Sequence, residues 1–279
     1  MNSISPRLAP DRVGIADYRF VRLLGVGNHG VFYLAHRPER LQVDADLVAV
    51  KVLSSPSSQD TFRRATRELA VFAAVRSPYL VTLFDAGQQG DDLYYSMEYL
   101  PAGSLADASE TLRSRQALGA VADAARAAHA LHEAGIAHND IKPGNILLTD
   151  GGAKLSDLGL SQLLTPGLTI TGLGSAGSVE YLDPAVIRGE VPSRATDIFA
   201  LGATLHRVLT GAGLYGDLPA DNTMVAMRRV LSHQPVIAPG LPPGVRELIV
   251  AAVDADPAKR PATAGDFAER LDVAAGQFG

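Results

Sequence analysis

The spacing of hydrophobic residues changes near residue 100. Before that point, short runs of branched and aromatic residues in 18–36, around a glycine-rich turn, and in 47–53 predict β-strands joined as hairpins. Residues 60–75 carry apolar side chains three and four positions apart, which predicts an amphipathic helix beginning at an Asp60 cap. Two further strands are predicted in 79–87 and 93–100. The first hundred residues therefore predict a small sheet with one helix.

After about residue 105 the sequence is rich in alanine and predicts helices. One helix, ending near Gly135, has a face formed by Leu118, Val121, Ala125, Ala128 and His132. Residues 153–161 predict a short hairpin. A stretch rich in Gly, Ser and Thr, 161–178, is too long for a simple connection. We expect this part to be mainly helical.

The C-terminal third predicts more helices. Thr196 is expected to cap a helix that Gly211 ends, because hydroxyl side chains favour helix starts and glycine favours helix ends. The apolar patterns of 245–253 and 264–275 predict two others.

Composition narrows the function classes. The chain has 279 residues, of which 47% are hydrophobic and 20% charged, enough to bury a substantial core. The formal net charge of -5 argues against a nucleic-acid partner. The absence of cysteine excludes disulfides, thiolate metal sites and thiol nucleophiles. Apolar runs fall short of the ~20 residues of a membrane span, and the first residues lack an apolar signal core, so we expect no membrane segment and a cytoplasmic location.

A glycine-rich motif lies in the first predicted hairpin. Gly25, Gly27 and Gly30 follow the GxGxxG pattern, which alone is weak evidence, since dinucleotide-binding folds share it. Here the residues after Gly30 have strand character instead of opening a helix, so the loop is expected to close a hairpin. A loop without side chains allows backbone N–H groups to approach a phosphate.

Lys51 and Glu68 are each open to two interpretations. In a strand, Ala49 and Lys51 share one face while the neighbouring valines face the core. This arrangement suits a nucleotide, but a solvent-exposed lysine fits equally well. Glu68 could form an ordinary helix pair with Arg64, or it could orient Lys51.

Six motifs in order carry a specific resemblance. GVGNHG, VAVK, Glu68, MEYLPAGSL, HNDIKPGNILL and DLG have the order and approximate spacing of the protein-kinase signatures. The chain resembles a bacterial eukaryotic-like (Hanks-type) serine/threonine protein kinase. The resemblance implies an α+β, bilobal, protein-kinase-like fold: a small antiparallel β-sheet N-lobe with one main helix (18–100) and a mainly helical C-lobe (101–271). Residues 1–17 are then a flexible N-terminal lead-in and 272–279 a C-terminal tail.

The resemblance also implies roles for individual residues. Asp140 would orient the substrate hydroxyl, Lys142 would neutralise the transferred phosphate, and Asn145 with Asp157 would bind Mg²⁺, or Mn²⁺ in its place. Lys51, held by Glu68, would contact the ATP phosphates. The implied nucleotide contacts are Leu24, Gly25, Gly27, Gly30, Phe32, Ala49, Lys51, Met97, Glu98, Leu100 and Leu147. Two supporting residues are also implied: Asp197 would brace the catalytic loop, and His138 would lie in the apolar spine behind it.

Several positions depart from the family pattern. Asn139 replaces the Arg that usually precedes the catalytic Asp and pairs with an activation-segment phosphate, so we expect a non-RD enzyme that does not depend on that phosphate. Asp183-Pro184-Ala185 replaces Ala-Pro-Glu, which deprives Arg260 of its usual carboxylate unless Asp183 or Glu190 substitutes. Phe32 stands where a valine is usual and could narrow the adenine pocket. Leu158 replaces the usual Phe after the metal-binding Asp and keeps that position apolar.

An active kinase for protein substrates is the favoured interpretation. The alternatives are an inactive nucleotide-binding scaffold and a small-molecule phosphotransferase with a kinase-like fold. Lys142 favours a protein substrate, and Ser178, in the register next to it, fits Ser/Thr acceptors, although Ser178 could be an ordinary loop hydroxyl. The other histidines are expected to be packing or surface residues. The sequence names neither the protein substrate nor the oligomeric state.

Overall fold

The computed structural model describes residues 13–27, 30–53, 59–108, 114–157 and 176–276, with the backbone alone at 59–65, 68 and 176. These residues form two compact units. The sheet unit comprises the described residues up to 74 together with 81–99, and the helical unit comprises 75–80 and the described residues from 100 onwards.

The sheet unit is a six-stranded antiparallel sheet in the order β1-β2-β3-β4-β6-β5. Its strands are β1 (Gly14–Ile15), β2 (Tyr18–Gly27), β3 (Gly30–His36), β4 (Leu47–Leu53), β5 (Leu83–Gln89) and β6 (Asp92–Glu98). Helix α1 (Gln59–Ala74) follows β4 and contacts β5. The sheet and its helix confirm the predicted architecture of this part.

Alternation along β4 creates two different faces. Val48, Val50 and Val52 lie in a buried cluster with Tyr18 and other apolar residues. Because successive side chains point to opposite faces, the residues between these valines lie on the other face, as predicted. Gly30 is required where β3 approaches β4, since a Cβ there would overlap the carbonyl oxygen of Val52.

Two expectations for this unit need correction. Gly14 and Ile15 pair with β2 and Ile15 is buried, so sheet structure begins within the segment predicted as a flexible lead-in. Asp60 lies inside α1, which begins at Gln59, and is therefore not its cap.

The helical unit is built around α3. Its helices are α2 (Leu105–Ala108), α3 (Ser114–Glu133), α4 (Ala176–Val179), α5 (Pro184–Ile187), α6 (Arg194–Thr210), α7 (Thr223–Ser232), α8 (Pro243–Ala252) and α9 (Ala264–Ala275). A hairpin of β7 (Ile146–Thr149) and β8 (Gly152–Leu155) follows a 3-10 turn at Pro143–Asn145. Helix α3 contacts α9, α6 and the hairpin. Its many buried alanines allow this close approach of several elements.

Helix boundaries in this unit differ from the predictions in detail. Ser193, not Thr196, is the N-cap of α6, and the Thr196 hydroxyl accepts a hydrogen bond from the Ser193 N–H (2.9 Å). Gly211 ends α6 in the left-handed conformation, as predicted. Residues 153–155 of the predicted 153–161 hairpin lie in β8, which pairs with the preceding β7, and 158–161 lie outside the described residues. Helix α9 has the predicted limits, 264–275, and therefore continues past residue 271, where the catalytic domain was expected to end.

The described residues contain no helix with the length and apolar character that crossing a membrane requires.

Candidate active site

One buried carboxylate, Asp197 of α6, holds the loop that follows α3. Its side chain accepts hydrogen bonds from the backbone N–H groups of His138 (2.7 Å) and Asn139 (2.8 Å) and also contacts Nε2 of His132 (2.8 Å). Hydrogen bonds to a carboxylate are stronger than neutral ones, so the loop is firmly positioned without regular secondary structure. The predicted bracing role of Asp197 is confirmed.

His138 supports the same loop from the core. It is fully buried, and its Nδ1 accepts a hydrogen bond from the Asp140 N–H (3.3 Å). Its other nitrogen, Nε2, therefore carries the proton and donates to the Ser156 carbonyl oxygen (3.1 Å). Burial lowers the pKa of His138, although the carboxylates of Asp197, Asp140 and Asp157 oppose that shift. The ring is thus a neutral spacer, in the supporting position predicted for it.

Two predicted polar residues, Lys142 and Asn145, bind Asp140, and a third, Ser178, binds Lys142. The Lys142 ammonium donates to both carboxylate oxygens (2.9 and 2.8 Å) and to the Ser178 hydroxyl (3.1 Å). The Asn145 amide donates to the Asp140 carbonyl oxygen (2.7 Å) and to its carboxylate (2.9 Å). All four side chains are partly or largely buried. The structure therefore brings together a carboxylate that can accept a proton, a cation and an amide, each held by hydrogen bonds.

The orientation of Asn145 fits the predicted role as a metal ligand. Both contacts of its Nδ2 are to oxygen acceptors, so the amide nitrogen must face Asp140 and the amide oxygen is left to bind another group. The Asn145 carbonyl also accepts from the Ser156 N–H (2.8 Å) and hydroxyl (3.1 Å), which fixes the residue next to Asp157. Asp157 is partly exposed, with φ of 62°. An amide oxygen and a carboxylate are ligands that Mg²⁺ accepts.

The sheet unit carries the other predicted cation, Lys51. Phe32, Lys51 and Tyr95 are register partners across β3, β4 and β6. The Lys51 ammonium lies over the Phe32 ring (4.6 Å to the centroid) and near the Tyr95 ring (5.9 Å), and the residue is 94% buried. This burial excludes the alternative of a solvent-exposed lysine. Glu68 lies in α1, but its side chain is outside the described part of the structure.

The remaining residues predicted to contact the nucleotide lie near strand ends or on the Lys51 face. Ala49 and Met97 are register partners and both are buried. A Cβ on Gly27 would contact the Phe32 ring at 3.4 Å, so the glycine turn lies against that ring. Glu98 ends β6, and its side chain accepts from the Thr82 N–H (2.7 Å). The other positions are Leu24 and Gly25 in β2, Gly30 in β3, Leu100 after β6 and Leu147 in β7.

Asp183 supplies the carboxylate partner of Arg260, in place of the glutamate that the family usually has at the position of Ala185. The two side chains form a buried ion pair. Asp183 also accepts from the Ala185 N–H (2.9 Å) at the start of α5. Glu190, the other candidate, is exposed. Of the two substitutes considered from the sequence, the structure selects Asp183.

A cavity of about 590 Å³ in the helical unit was missed by the sequence analysis. Lys142 lies at its wall together with Tyr181 and Arg207. Glu180, buried behind Arg207, is 3.6 Å from its guanidinium. These residues come from separate segments, and no local pattern in the sequence connects them.

Comparisons with known proteins agree with this geometry. The model of the protein kinase domain matches residues 18–270. The serine/threonine-protein kinases PknJ and PknK of Mycobacterium tuberculosis are 32% and 35% identical over 275 and 269 residues, or 93% and 92% of this chain. The chain spans only 45% of PknJ and 23% of PknK.

A solved structure shows the same fold. The kinase domain of M. tuberculosis PknI aligns with a TM-score of 0.70 over 96% of this chain and 99% of that one, at 24% identity. The predicted α+β kinase-like fold class is confirmed. With the family model matching most of its length, the chain belongs to the protein kinase domain family.

Proposed function

We propose that this chain is a serine/threonine protein kinase that transfers the γ-phosphate of ATP to hydroxyl groups of proteins. The observation that carries the proposal is the cluster on Asp140, in which Lys142, Asn145 and Ser178 are already within hydrogen-bond distance of their partners. Phosphoryl transfer depends mainly on positioning and charge neutralisation, and this cluster supplies both. We propose residues 18–271 as its catalytic domain.

Each residue of the cluster has a distinct task in this proposal. Asp140 accepts and orients the substrate hydroxyl, which must displace part of its contact with Lys142. Lys142 keeps its place between Asp140 and Ser178 and neutralises charge on the phosphate that moves. Ser178 holds the lysine on the side where a Ser or Thr acceptor would enter.

Nucleotide and metal binding follow from two sets of residues. Asn145 and Asp157 would hold Mg²⁺, which when bound supplies positive charge to the ATP phosphates. In the sheet unit, Lys51 would contact phosphate from its buried position, and Ala49 with Met97 offers an apolar surface for adenine. Because ATP is abundant in the cytoplasm, we propose that the reaction occurs there.

Incubation with labelled ATP and Mg²⁺ tests the proposal. Wild type should label itself or a generic acceptor protein on Ser or Thr, as located by mass spectrometry, and Asp140→Asn should lower the rate by a factor of about 10²–10⁴. Asp150→Asn, an exposed residue in the β7–β8 turn, is the matched control and should retain the wild-type rate. ATP binding without transfer would instead support a nucleotide-binding scaffold. Labelling of small molecules alone would support a small-molecule phosphotransferase with a kinase-like fold.

We further propose that activity does not require activation-segment phosphorylation. Asn139 adopts a left-handed conformation, φ of 67°, which asparagine tolerates better than most residues, and it has no guanidinium to bind a phosphate. Replacing Ser161, Thr165, Thr169, Thr171 and Ser175, all outside the described residues, with alanine should leave kcat within about tenfold. A loss of several orders of magnitude would refute this proposal.

A further inference from the structure

The cavity beside Lys142 has a charge pattern that distinguishes substrates. Its wall includes the cations Lys142 and Arg207, the hydroxyl of Tyr181, and the glycines Gly144, Gly177 and Gly211. No carboxylate is among the described residues that line it. The glycines leave room for an incoming side chain. Of the two cations at the wall, Lys142 is already paired with Asp140, whereas Arg207 lies 3.6 Å from its nearest carboxylate, Glu180.

The position of Arg207 is fixed before any ligand arrives. Its Nη1 donates to the Gly211 carbonyl oxygen (3.2 Å), and its Nη2 lies 3.6 Å from Oε2 of Glu180. The Arg207 side chain remains 36% exposed, whereas that of Glu180 is only 9% exposed. Preorganised side chains lose less conformational entropy on binding. Arg207 is therefore held by Gly211 and Glu180 and also hydrogen-bonds the Tyr181 side chain, and its partly exposed side chain lines the cavity.

Glu180 neutralises Arg207 incompletely. The 3.6 Å separation is longer than a hydrogen bond, and Oε1 of Glu180 has no hydrogen-bond partner in the described residues. Burial raises the pKa of the Glu180 carboxyl, although the charge of Arg207 opposes that shift. A guanidinium has five N–H donors and binds planar anionic groups through two of them at once. An anionic oxygen pair is the ligand that would satisfy it.

We infer that this cavity binds an acidic side chain of the protein substrate, and that Arg207 sets this specificity. The inference rests on the proposed kinase function, because Lys142 connects the cavity to the acceptor site. A cavity of this volume is about 10 Å across, the length of about three extended residues. The acidic residue therefore lies within about three positions of the acceptor hydroxyl. Carboxylates and phosphorylated side chains share the required chemistry.

Peptides with a single central serine test the inference. Aspartate, phosphoserine, alanine or lysine is placed at each of the three positions on either side of the serine, in an otherwise neutral sequence. At one or more positions, aspartate or phosphoserine should raise kcat/KM over alanine by about fivefold or more, mainly through KM. The aspartate and phosphoserine series distinguish the two sources of negative charge.

Variants of Arg207 connect this preference to the cavity. In Arg207→Gln the acidic-to-alanine ratio should fall close to one, and Arg207→Lys should keep part of it because the charge remains. Arg246→Gln removes an exposed arginine that does not line the cavity and should keep the wild-type ratio. Equal use of alanine and acidic peptides, or an acidic preference that survives Arg207→Gln, would overturn the inference.

A binding measurement separates this inference from the proposed activity. Fluorescence anisotropy with labelled peptides and no ATP reports binding alone. If no peptide is phosphorylated but acidic peptides bind more tightly in an Arg207-dependent manner, the kinase proposal fails and the cavity inference stands. If transfer occurs without any such preference, only the inference fails.

Discussion

The buried pair of Asp183 and Arg260 offers a sharp test of the helical unit. Both side chains are 2% exposed, so replacing Asp183 by alanine would leave a guanidinium without its counter-charge in the core. Breaking a buried pair by removing one partner typically costs about 3–5 kcal/mol. The same change removes the acceptor for the Ala185 N–H, a helix-cap contact worth about 1 kcal/mol.

Other contacts of Arg260 reduce the expected loss. Its Nε donates to the Asp254 carbonyl (2.9 Å), its Nη1 donates to the Ala195 carbonyl (2.8 Å), and the guanidinium lies 5.4 Å from the Phe199 ring centroid. These groups attract the cation and remain after the substitution. We therefore expect Asp183→Ala to lower the free energy of unfolding by about 4 kcal/mol, the lower end of the combined range of about 4–6 kcal/mol.

Urea unfolding followed by circular dichroism at 222 nm measures this loss. The chain contains no tryptophan, and helix signal reports directly on the unit that holds the pair. Asp183→Asn preserves the size and the cap acceptor, so it isolates the charge and should cost about 1 kcal/mol less than the alanine variant. The double variant with Arg260→Met should recover much of the loss, because a buried pair replaced as a whole is often tolerated. A loss below about 1 kcal/mol for Asp183→Asn, or strict additivity with Arg260→Met, would refute the reasoning.

Two further predictions concern packing and pH. Gly202→Val should destabilise the protein by about 1–3 kcal/mol, because a Cβ there would lie 2.7 Å from that of Ala252. Gly119→Ala, which has open space around it, should instead stabilise α3 by about 0.5–1 kcal/mol. Thermal unfolding measures both changes, and a shift of the midpoint in the same direction for the two variants would contradict the prediction. Burial lowers the pKa of His206, whose neutral Nε2 accepts from the Ala238 N–H (3.0 Å). The unfolded state therefore takes up a proton at a higher pH than the folded state, so the contribution of His206 to stability is present above about pH 6.5 and declines as the pH falls through the lowered folded-state pKa. His206→Gln should make the loss of stability between about pH 7 and 5, measured by urea unfolding at several pH values, shallower than in wild type, and an unchanged pH dependence would contradict the assignment.

Strand β4 shows what the sequence could predict well. Its predicted limits, 47–53, agree with the structure, since branched residues favour strands and alternation marked Lys51 as lying on the face opposite the valines. The burial of Lys51 could not be predicted, because it depends on Phe32 and Tyr95 in neighbouring strands. Local preferences determined the element, while tertiary packing determined the environment of its lysine.

The helix caps and the ion pair show where local patterns were insufficient. Ser193 and Thr196 are both good cap residues three positions apart, and the prediction of Thr196 was wrong because Ser193 is the N-cap. Asp183 and Arg260 are 77 positions apart, so their pairing was expressed only as one of two options suggested by the family resemblance. Arg207 and Lys142 line one cavity although they are far apart in the sequence, and no periodic pattern relates them, so the cavity could not be predicted either.

The loop at 138–140 has a consequence for hydrogen exchange. Three consecutive backbone N–H groups, of His138, Asn139 and Asp140, each donate to a side chain that is itself almost completely buried, either Asp197 or His138. Exchange of these amide hydrogens requires the hydrogen bond to the buried carboxylate or imidazole to break, so the free energy of local opening should be high. The amide hydrogens of this segment, which has neither helix nor strand, should therefore be among the slowest to exchange in the described residues, and their protection would identify an ordered loop that secondary structure does not reveal.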